Sequence, residues 1–457
     1  LSRRLAIPIL LAFALLAAQP ARAQQETPPG PIYIVKEGDT LSSIALQFGI
    51  PLSELVAYNN LTDANQLFVG DRLVIPGLAG MTGVLETITV PFGENLRSLQ
   101  RAYRMPLGDF QRLNHLVSPG ELYKGLSLVV PVSDQPPPAR RAVLAPGATL
   151  LEMAVQEGAN PWALAESNAL DTPTRLIPHD ILLLPGGDPA SPGALIPQVG
   201  SLEVNLLFQG EAAVLELTSD STLQITGTLA NRVFPFFREG SVYYGLQGVH
   251  ALEEPGMTLL AIRAVDENGA AHSFSQMVKI NERAYIFEYI NVPPELIDPD
   301  TSDAENQLIA SYLNTPTPDK LWEGVFEAPS PFADCINSTY GNRRSYNGSA
   351  FIYYHSGVDF CGGTGVKIFA PARGVVVFAG ELEIRGNLTI IDHGWGVFTT
   401  YMHQSEILVE TGDTVNPGDE IGLVGSTGRS TGPHLHWEVW VNGVAVNPLD
   451  WLAAGFP

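Results

Sequence analysis

His355-Ser356-Gly357-Val358-Asp359, answered by His403 and by His434-Leu435-His436, is the set of residues around which the end of this chain is organised. All five ionisable side chains are of a kind that binds borderline-soft divalent metals. A catalytic zinc site takes three protein ligands and keeps one position open. Two histidines and one aspartate meet that count, and two histidines are left for proton transfer. Polar and apolar residues alternate through His434-Leu435-His436-Trp437-Glu438-Val439, the pattern of a half-buried strand. Side chains on a strand change face at every step, so His434 and His436 project on the same side. Gly357 argues against a helix between His355 and Asp359, so a loop is expected to deliver that pair.

The spacing His-x-x-x-Asp, a lone histidine after Tyr401-Met402 and a terminal His-x-His resemble the lysostaphin/LytM-type zinc endopeptidases of bacterial cell walls. Ser338-Thr339-Tyr340-Gly341-Asn342-Arg343 is similar to that family's opening segment. Ala370-Pro371-Ala372-Arg373-Gly374, and Gly425-Ser426-Thr427-Gly428 through Gly432-Pro433-His434, resemble its glycine-rich turns. The resemblance implies an all-β, antiparallel metallopeptidase domain over residues 331–457 with one zinc ion per chain. It further implies His355, Asp359 and His436 as ligands, with His403 and His434 as the catalytic pair. Gln404 departs from the family, which more often has an apolar residue there.

His115, His179, His250 and His272 stand upstream in unrelated contexts, and His393 sits in a turn between two apolar strands; all five read as structural. The only two cysteines, Cys335 and Cys361, flank the first ligand loop and are candidates for one disulfide in an oxidising compartment.

Arg3 and Arg4 precede an apolar run from Leu5 to Ala18, followed by Ala21-Arg22-Ala23. Residues 1–23 therefore read as a signal peptide, too short for a comfortable membrane span. No second long apolar segment follows, so no membrane span is expected after its removal. The expected location is secreted or periplasmic, and cell-wall associated. The formal charge of −23 moves to −26 without Arg3, Arg4 and Arg22, since residues 1–23 carry no acid. That balance disfavours nucleic acid and anionic membrane surfaces as partners.

Between signal and peptidase lies an internal repeat. A shift of 55 carries Gly38, Leu41, Asn59, Leu61, Gly70 and Pro76 onto Gly93, Leu96, Asn114, Leu116, Gly125 and Pro131. A shift of 109 carries Gly38, Leu41, Asn59 and Pro76 onto Gly147, Leu150, Asn168 and Pro185. Each copy reads as strand, two short helices and strand, with Asp39 or Thr40 able to cap the first helix. The first copy (32–76) resembles the lysin motif, LysM, a βααβ module that binds N-acetylglucosamine chains. The second (86–131) is altered, with Pro91-Phe92-Gly93-Glu94-Asn95 in place of Lys36-Glu37-Gly38-Asp39-Thr40, and the third (142–185) is weaker. In the family the sugar groove lies between two loops, which correspond here to Gly38, Asp39, Thr40 and Leu41, and to Asn65, Gln66 and Leu67. Pro136-Pro137-Pro138 is read as a stiff spacer.

Residues 200–292 alternate as strands separated by turn signals, which favours a β-sandwich of immunoglobulin type. Residues 293–330 read as a linker in which Ala304 to Leu313 is a candidate helix. The architecture expected is three LysM modules, an all-β sandwich-like middle domain and the zinc peptidase. The function expected is hydrolysis of peptide bonds in peptidoglycan stem peptides or cross-bridges, with the chain held on glycan by its repeats. The alternative is a non-catalytic wall-binding regulator that activates amidases, the role of relatives that have lost metal ligands.

Overall fold

The computed structural model describes residues 30–61, 67–78, 81–132, 140–171, 176–186, 195–196, 198–291 and 299–457. Residues 1–23, read above as a signal peptide, lie outside them, as do Asn65, Gln66 and Pro136-Pro137-Pro138. The chain divides into one unit of residues 1–86 with 131–134, and a second of residues 87–130 with 135–457. Among the described residues no single helix is long and apolar enough to cross a membrane.

In the first unit, strand Ile32–Ile34 leads through helices Leu41–Gln47 and Leu52–Tyr58 to strand Arg72–Val74. The two strands pair antiparallel, Ile32 opposite Val74. Thr40 is the cap: its Oγ1 accepts from the Ser43 N–H at 3.0 Å, and Ser43 Oγ accepts from the Thr40 N–H at 2.9 Å. Asp39 has a different task, accepting from the Tyr33 hydroxyl at 2.8 Å and the Lys36 N–H at 2.7 Å.

The repeated asparagine ties each second helix to its closing strand. Asn59 Nδ2 donates to the Leu55 carbonyl at 2.9 Å and to Val74 O at 2.8 Å, while its Oδ1 accepts from Val74 N at 2.7 Å. In the second unit Asn114 makes the same bonds to Phe110 and Val129, and Asn168 to Leu164 and Leu183. An amide that is half-buried in the first two copies and buried in the third, with both its groups hydrogen-bonded, explains why this residue recurs in register. The third copy has the same order of elements, from Arg141–Val143 through Leu150–Gln156 and Pro161–Ser167 to Ile181–Leu183.

The middle domain holds eight strands between Ser201 and Asn281, their alternate residues meeting in one core that includes Leu215, Leu217, Phe234, Ile262 and Ile280. They fall into two hydrogen-bonded groups that face each other across this core, as expected of a sandwich-like domain, and the two groups are continuous through one shared strand. The link is strand Arg232–Glu239, whose first half pairs with Gln224–Leu229 and whose second half pairs with Val242–Gly248. Alternation in sequence reports faces and not pairing, so the shared strand was not visible there.

The C-terminal domain is built on an antiparallel sheet in the order 336–338, 358–361, 434–441, 397–404, 386–394, 374–382 and 414–415. One face carries Leu435, Trp437, Val439 and Val441 into the main core with Val358, Phe360, Val397 and Tyr401. The other face is covered at one end by the helix Pro299–Leu313, where Ile309 and Leu313 pack on Leu388, Ile390, Phe398 and Met402. The interval expected to be a linker thus contains this helix, and its Trp322 and Phe326 are buried in the main core. A disulfide joins Cys335 and Cys361, S–S 2.00 Å, across a separation of 26 residues.

Candidate metal centre

Strand register builds most of the site. Asp359 on strand Val358–Cys361 stands directly opposite His436 on strand His434–Val441. Directly opposed residues share a face with their Cβ atoms close together, so the carboxylate and the imidazole meet without any long loop. His355 enters from the loop just before, and Gly357 is what permits it. A Cβ at Gly357 would lie 2.3 Å from the Trp437 carbonyl oxygen and 3.0 Å from His436 Cε1.

Three donor atoms converge. Asp359 Oδ1 lies 2.7 Å from His436 Nδ1 and 3.0 Å from His355 Nε2, and the two ring nitrogens are 3.0 Å apart. Two imidazoles and one carboxylate at such separations fit a zinc ion and leave a position open. The outer atoms of the rings are tied down. His355 Nδ1 donates to the Thr339 carbonyl at 2.9 Å, which leaves the Nε2 lone pair facing inward. His436 Nε2 donates to Glu438 Oε1 at 3.1 Å, which turns Nδ1 inward and leaves its lone pair for a metal once the ring gives up its second proton. Glu438 also accepts from Ser356 Oγ, from Thr400 Oγ1 at 2.7 Å and from Trp440 Nε1 at 2.8 Å. A buried carboxylate with four donors is fully compensated. On the far side of Asp359, an Arg344 nitrogen lies 4.0 Å from Oδ2, and Arg344 Nε donates to Glu288 Oε2 at 3.1 Å.

His403 reaches the site through an irregularity. Thr389 opposes Tyr401 and Asn387 opposes Gln404, so Met402 and His403 together face Leu388. This is a β-bulge, and His403 sits in it at φ 61°. Met402 pairs with His436 on the site face. Unbroken alternation would send the next residue to the opposite face, into the core beside Tyr401. The bulge instead holds the His403 ring 5.1 Å from that of His434 and 6.3 Å from that of His436. His403 Nδ1 donates to Thr427 O and His434 Nδ1 to Gly432 O, each at 2.8 Å, so both Nε2 atoms carry free lone pairs.

Behind the bulge stands the helix Pro299–Leu313. The buried Glu305 accepts from the Ile384 N–H at 2.7 Å and from Arg385 Nη1 at 3.0 Å. The Arg385 carbonyl accepts the His403 N–H at 3.0 Å, and the Ile384 carbonyl accepts the Arg429 N–H at 2.7 Å.

The electrostatics follow from burial and these partners. For His436 burial disfavours charge, but the hydrogen bonds and charges of Asp359 and Glu438 outweigh it and raise the pKa to about 9 in the metal-free protein. Glu438 is opposed by burial and held down at about 2, chiefly by its bond to His436. Asp359 is likewise pulled far below the usual carboxylate range by His355 and His436, against its burial. Burial, helped by the charge of His436, lowers His403 to about 4. Burial also lowers His355.

The five residues singled out in the sequence are therefore brought together. His393 lies elsewhere, satisfied by the Arg373 carbonyl at 2.9 Å and Thr399 Oγ1 at 2.8 Å. Gln404 is buried, its Nε2 donating to Thr389 Oγ1 at 2.9 Å. Glu438, Glu305, Arg385 and Arg344 were missed as supporting residues. For Glu438 a signal existed: it continues the His434, His436 alternation on the same face. Gly38 and Thr40 are exposed and Leu41 is buried in the first copy.

Among known proteins, residues 353–448 match the peptidase family M23, and residues 33–76 and 88–131 match the LysM domain. Over 114 residues the chain is 40% identical to peptidoglycan DD-endopeptidase ShyA of Vibrio cholerae, covering 25% of this chain and 26% of that one. Over 96 residues it is 46% identical to DD-carboxypeptidase/endopeptidase Mpg of Neisseria meningitidis, covering 21% and 22%. The chain thus spans about a quarter of the length of these curated relatives. The catalytic domain of lysostaphin from Staphylococcus simulans aligns at TM-score 0.21 and 31% identity, covering 32% of this chain and 97% of that one.

Proposed function

We propose that this chain, which carries an M23 peptidase domain behind two LysM domains, is a secreted or periplasmic zinc metalloendopeptidase. Its substrate is a peptide bond in the stem peptides or cross-bridges of peptidoglycan, and its LysM repeats hold the glycan. One observation carries the reading: His355 Nε2, Asp359 Oδ1 and His436 Nδ1 converge while their outer atoms are fixed by Thr339 and Glu438. ShyA is a peptidoglycan DD-endopeptidase and Mpg a DD-carboxypeptidase/endopeptidase, and the likeness to both supports the substrate class.

His355, Asp359 and His436 would hold one zinc ion. Bound there, zinc supplies a Lewis acid for the scissile carbonyl and lowers the pKa of a water to about 7. The chain's own residues provide the rest. His403, kept neutral by its burial, can take a proton at Nε2, because Thr427 already accepts from Nδ1. His434 Nε2 is placed for the same exchange, with its Nδ1 hydrogen bond to Gly432 fixing the tautomer. Between them the two rings can remove a proton from the nucleophile, stabilise the developing oxyanion and return a proton to the leaving amine.

The test is mass spectrometry of fragments released from purified peptidoglycan by the zinc-loaded chain. New amino and carboxyl termini within peptides are expected. Fragments with only new sugar ends would overturn the reading. Intact peptidoglycan together with a stimulated amidase would place the chain among the regulators instead.

A further inference from the structure

The three LysM copies are alike in fold but not in what covers them. At the first strand–helix loop, Glu37 and Gly38 of copy one and Pro146 and Gly147 of copy three are exposed. The equivalent Phe92 and Gly93 of copy two are buried, and so is Glu94. The cover is the middle-domain strand Ala271–Asn281. Gln276 grips the loop from both sides: its Oε1 accepts from the Gly93 N–H at 2.8 Å, and its Nε2 donates to the Pro91 carbonyl at 2.9 Å. Phe92 enters the middle-domain core, edge-on to Phe274 at 5.9 Å.

The same strand also meets the second helix–strand loop, just past the positions equivalent to residues 65–67. The Met277 carbonyl accepts from the Lys124 N–H at 2.9 Å, and Lys279 lies over the Tyr123 ring at 5.9 Å. Lys124 Nζ continues to the Val204 carbonyl at 3.3 Å. At the position of Lys124, copy one has Val69, 69% exposed, and copy three has the exposed Pro178. On its other side copy two is bolted to copy three. Glu94 accepts from Arg141 Nε at 2.7 Å, and Arg101 donates to Asp180 at 2.9 Å.

These contacts use the residues by which copy two departs from copy one. Phe92 stands where copy one has Glu37, and Glu94 where it has Asp39. We propose that copy two is an internal docking module: its groove takes the backbone and side chains of the Ala271–Asn281 strand, and it binds no glycan in the folded chain. Glycan contact then falls to the copies whose loops are open, so the avidity of the chain is that of fewer linked sites than its repeats suggest. The glycan part of this proposal rests on the anchoring role given above.

The experiment is hydrogen exchange on the full chain, with and without a soluble N-acetylglucosamine tetramer. Without sugar, the amides of Gly93 and Lys124 are expected to exchange slowly and those of Glu37 and Gly38 fast. With sugar, protection is expected to appear at residues 37–41 and to leave residues 92–96 unchanged. A paired variant, Phe92→Glu with Gln276→Ala, is expected to speed exchange at residues 92–96 on the order of fivefold, the worth of one net hydrogen bond. Sugar-induced protection at residues 92–96 in the unaltered chain would overturn the proposal. So would exchange there as fast as at Gly38 before sugar is added. If the variant fails to fold, the comparison within the unaltered chain still decides. Sugar that protects no copy would remove the anchoring role, while the docking would still be judged by the sugar-free exchange of Gly93 and Lys124.

Discussion

His436 donates its Nε2–H to Glu438 Oε1 in a hydrogen bond of 3.1 Å, and the two side chains lie on the same face of one strand, two residues apart. A carboxylate held near pKa 2 can only accept, so this contact fixes the imidazole tautomer and aims Nδ1 at Asp359.

Removing that support should loosen the metal while sparing the ligands. Glu438→Ala is expected to weaken zinc binding about 10- to 100-fold, the usual effect of losing such a partner. Glu438→Gln, whose amide oxygen can still accept from Nε2, should fall in between. Competition against a chromogenic chelator gives both numbers. Unchanged affinity in the alanine variant would show that His436 needs no orienting partner.

His436→Ala and His434→Ala should part company although they are neighbours on one strand. The first removes a donor atom and should lose zinc and hydrolysis together. The second should keep zinc and lose on the order of 10²–10⁴ in kcat, the scale of general acid–base help. Metal analysis beside steady-state kinetics separates the cases. Loss of zinc from the His434 variant would exchange the two roles.

Zinc affinity should depend on pH with a definite sign. With its pKa raised to about 9, His436 is protonated at neutral pH in the metal-free protein, and zinc must expel that proton. Asp359, held low, and His355, lowered by burial, release no proton near pH 7. Apparent affinity should therefore rise about tenfold per pH unit up to about pH 9 and then level off. The metal-free fold should move the other way. A raised folded pKa contributes stability that is full below the unfolded value of 6.5 and is lost as pH rises through about 9. Calorimetry in buffers of different ionisation enthalpy counts the proton, and thermal melts of the metal-free chain follow the stability. A pH-independent affinity between 7 and 9 would contradict the assignment.

Glu305→Ala should lower kcat with little change in zinc content. The carboxylate acts through the Ile384–Arg385 segment, whose carbonyls hold the His403 and Arg429 amides. A loss on the order of 10²-fold, the cost of a small misplacement far from the chemistry, is expected. Glu305→Gln should recover part of it, since its oxygen can still accept from Ile384. Equal losses in both variants, or loss of zinc in either, would point to general unfolding of the helix instead.

The five site residues were legible because their chemistry is uncommon and their spacing is local: His434 and His436 share a face by parity, and His355 and Asp359 share a loop. The repeats were legible because Asn59, Asn114 and Asn168 each close a module through the same bonds. What could not be read depends on contacts between distant segments. Glu305 meets Arg385 across 80 residues, and nothing in either neighbourhood names the other. Phe92 read as divergence within a repeat, whereas its partner Phe274 lies in another domain. The helix at Pro299–Leu313 was legible as a candidate over Ala304 to Leu313, but its packing on Leu388 and Phe398, far along the chain, was not.

The bulge at His403 makes this site sensitive to length as well as to identity. Strand residues keep time in twos, and the extra count spent at Met402 and His403 is what turns an odd position onto the even face. Inserting or deleting one residue between Val397 and His403 would leave every catalytic side chain present in the sequence. It would nevertheless put the histidine out of phase with His436. A chain inspected only for its motif would pass as intact, while its proton carrier pointed into the core. For this domain the spelling and the metre have to agree.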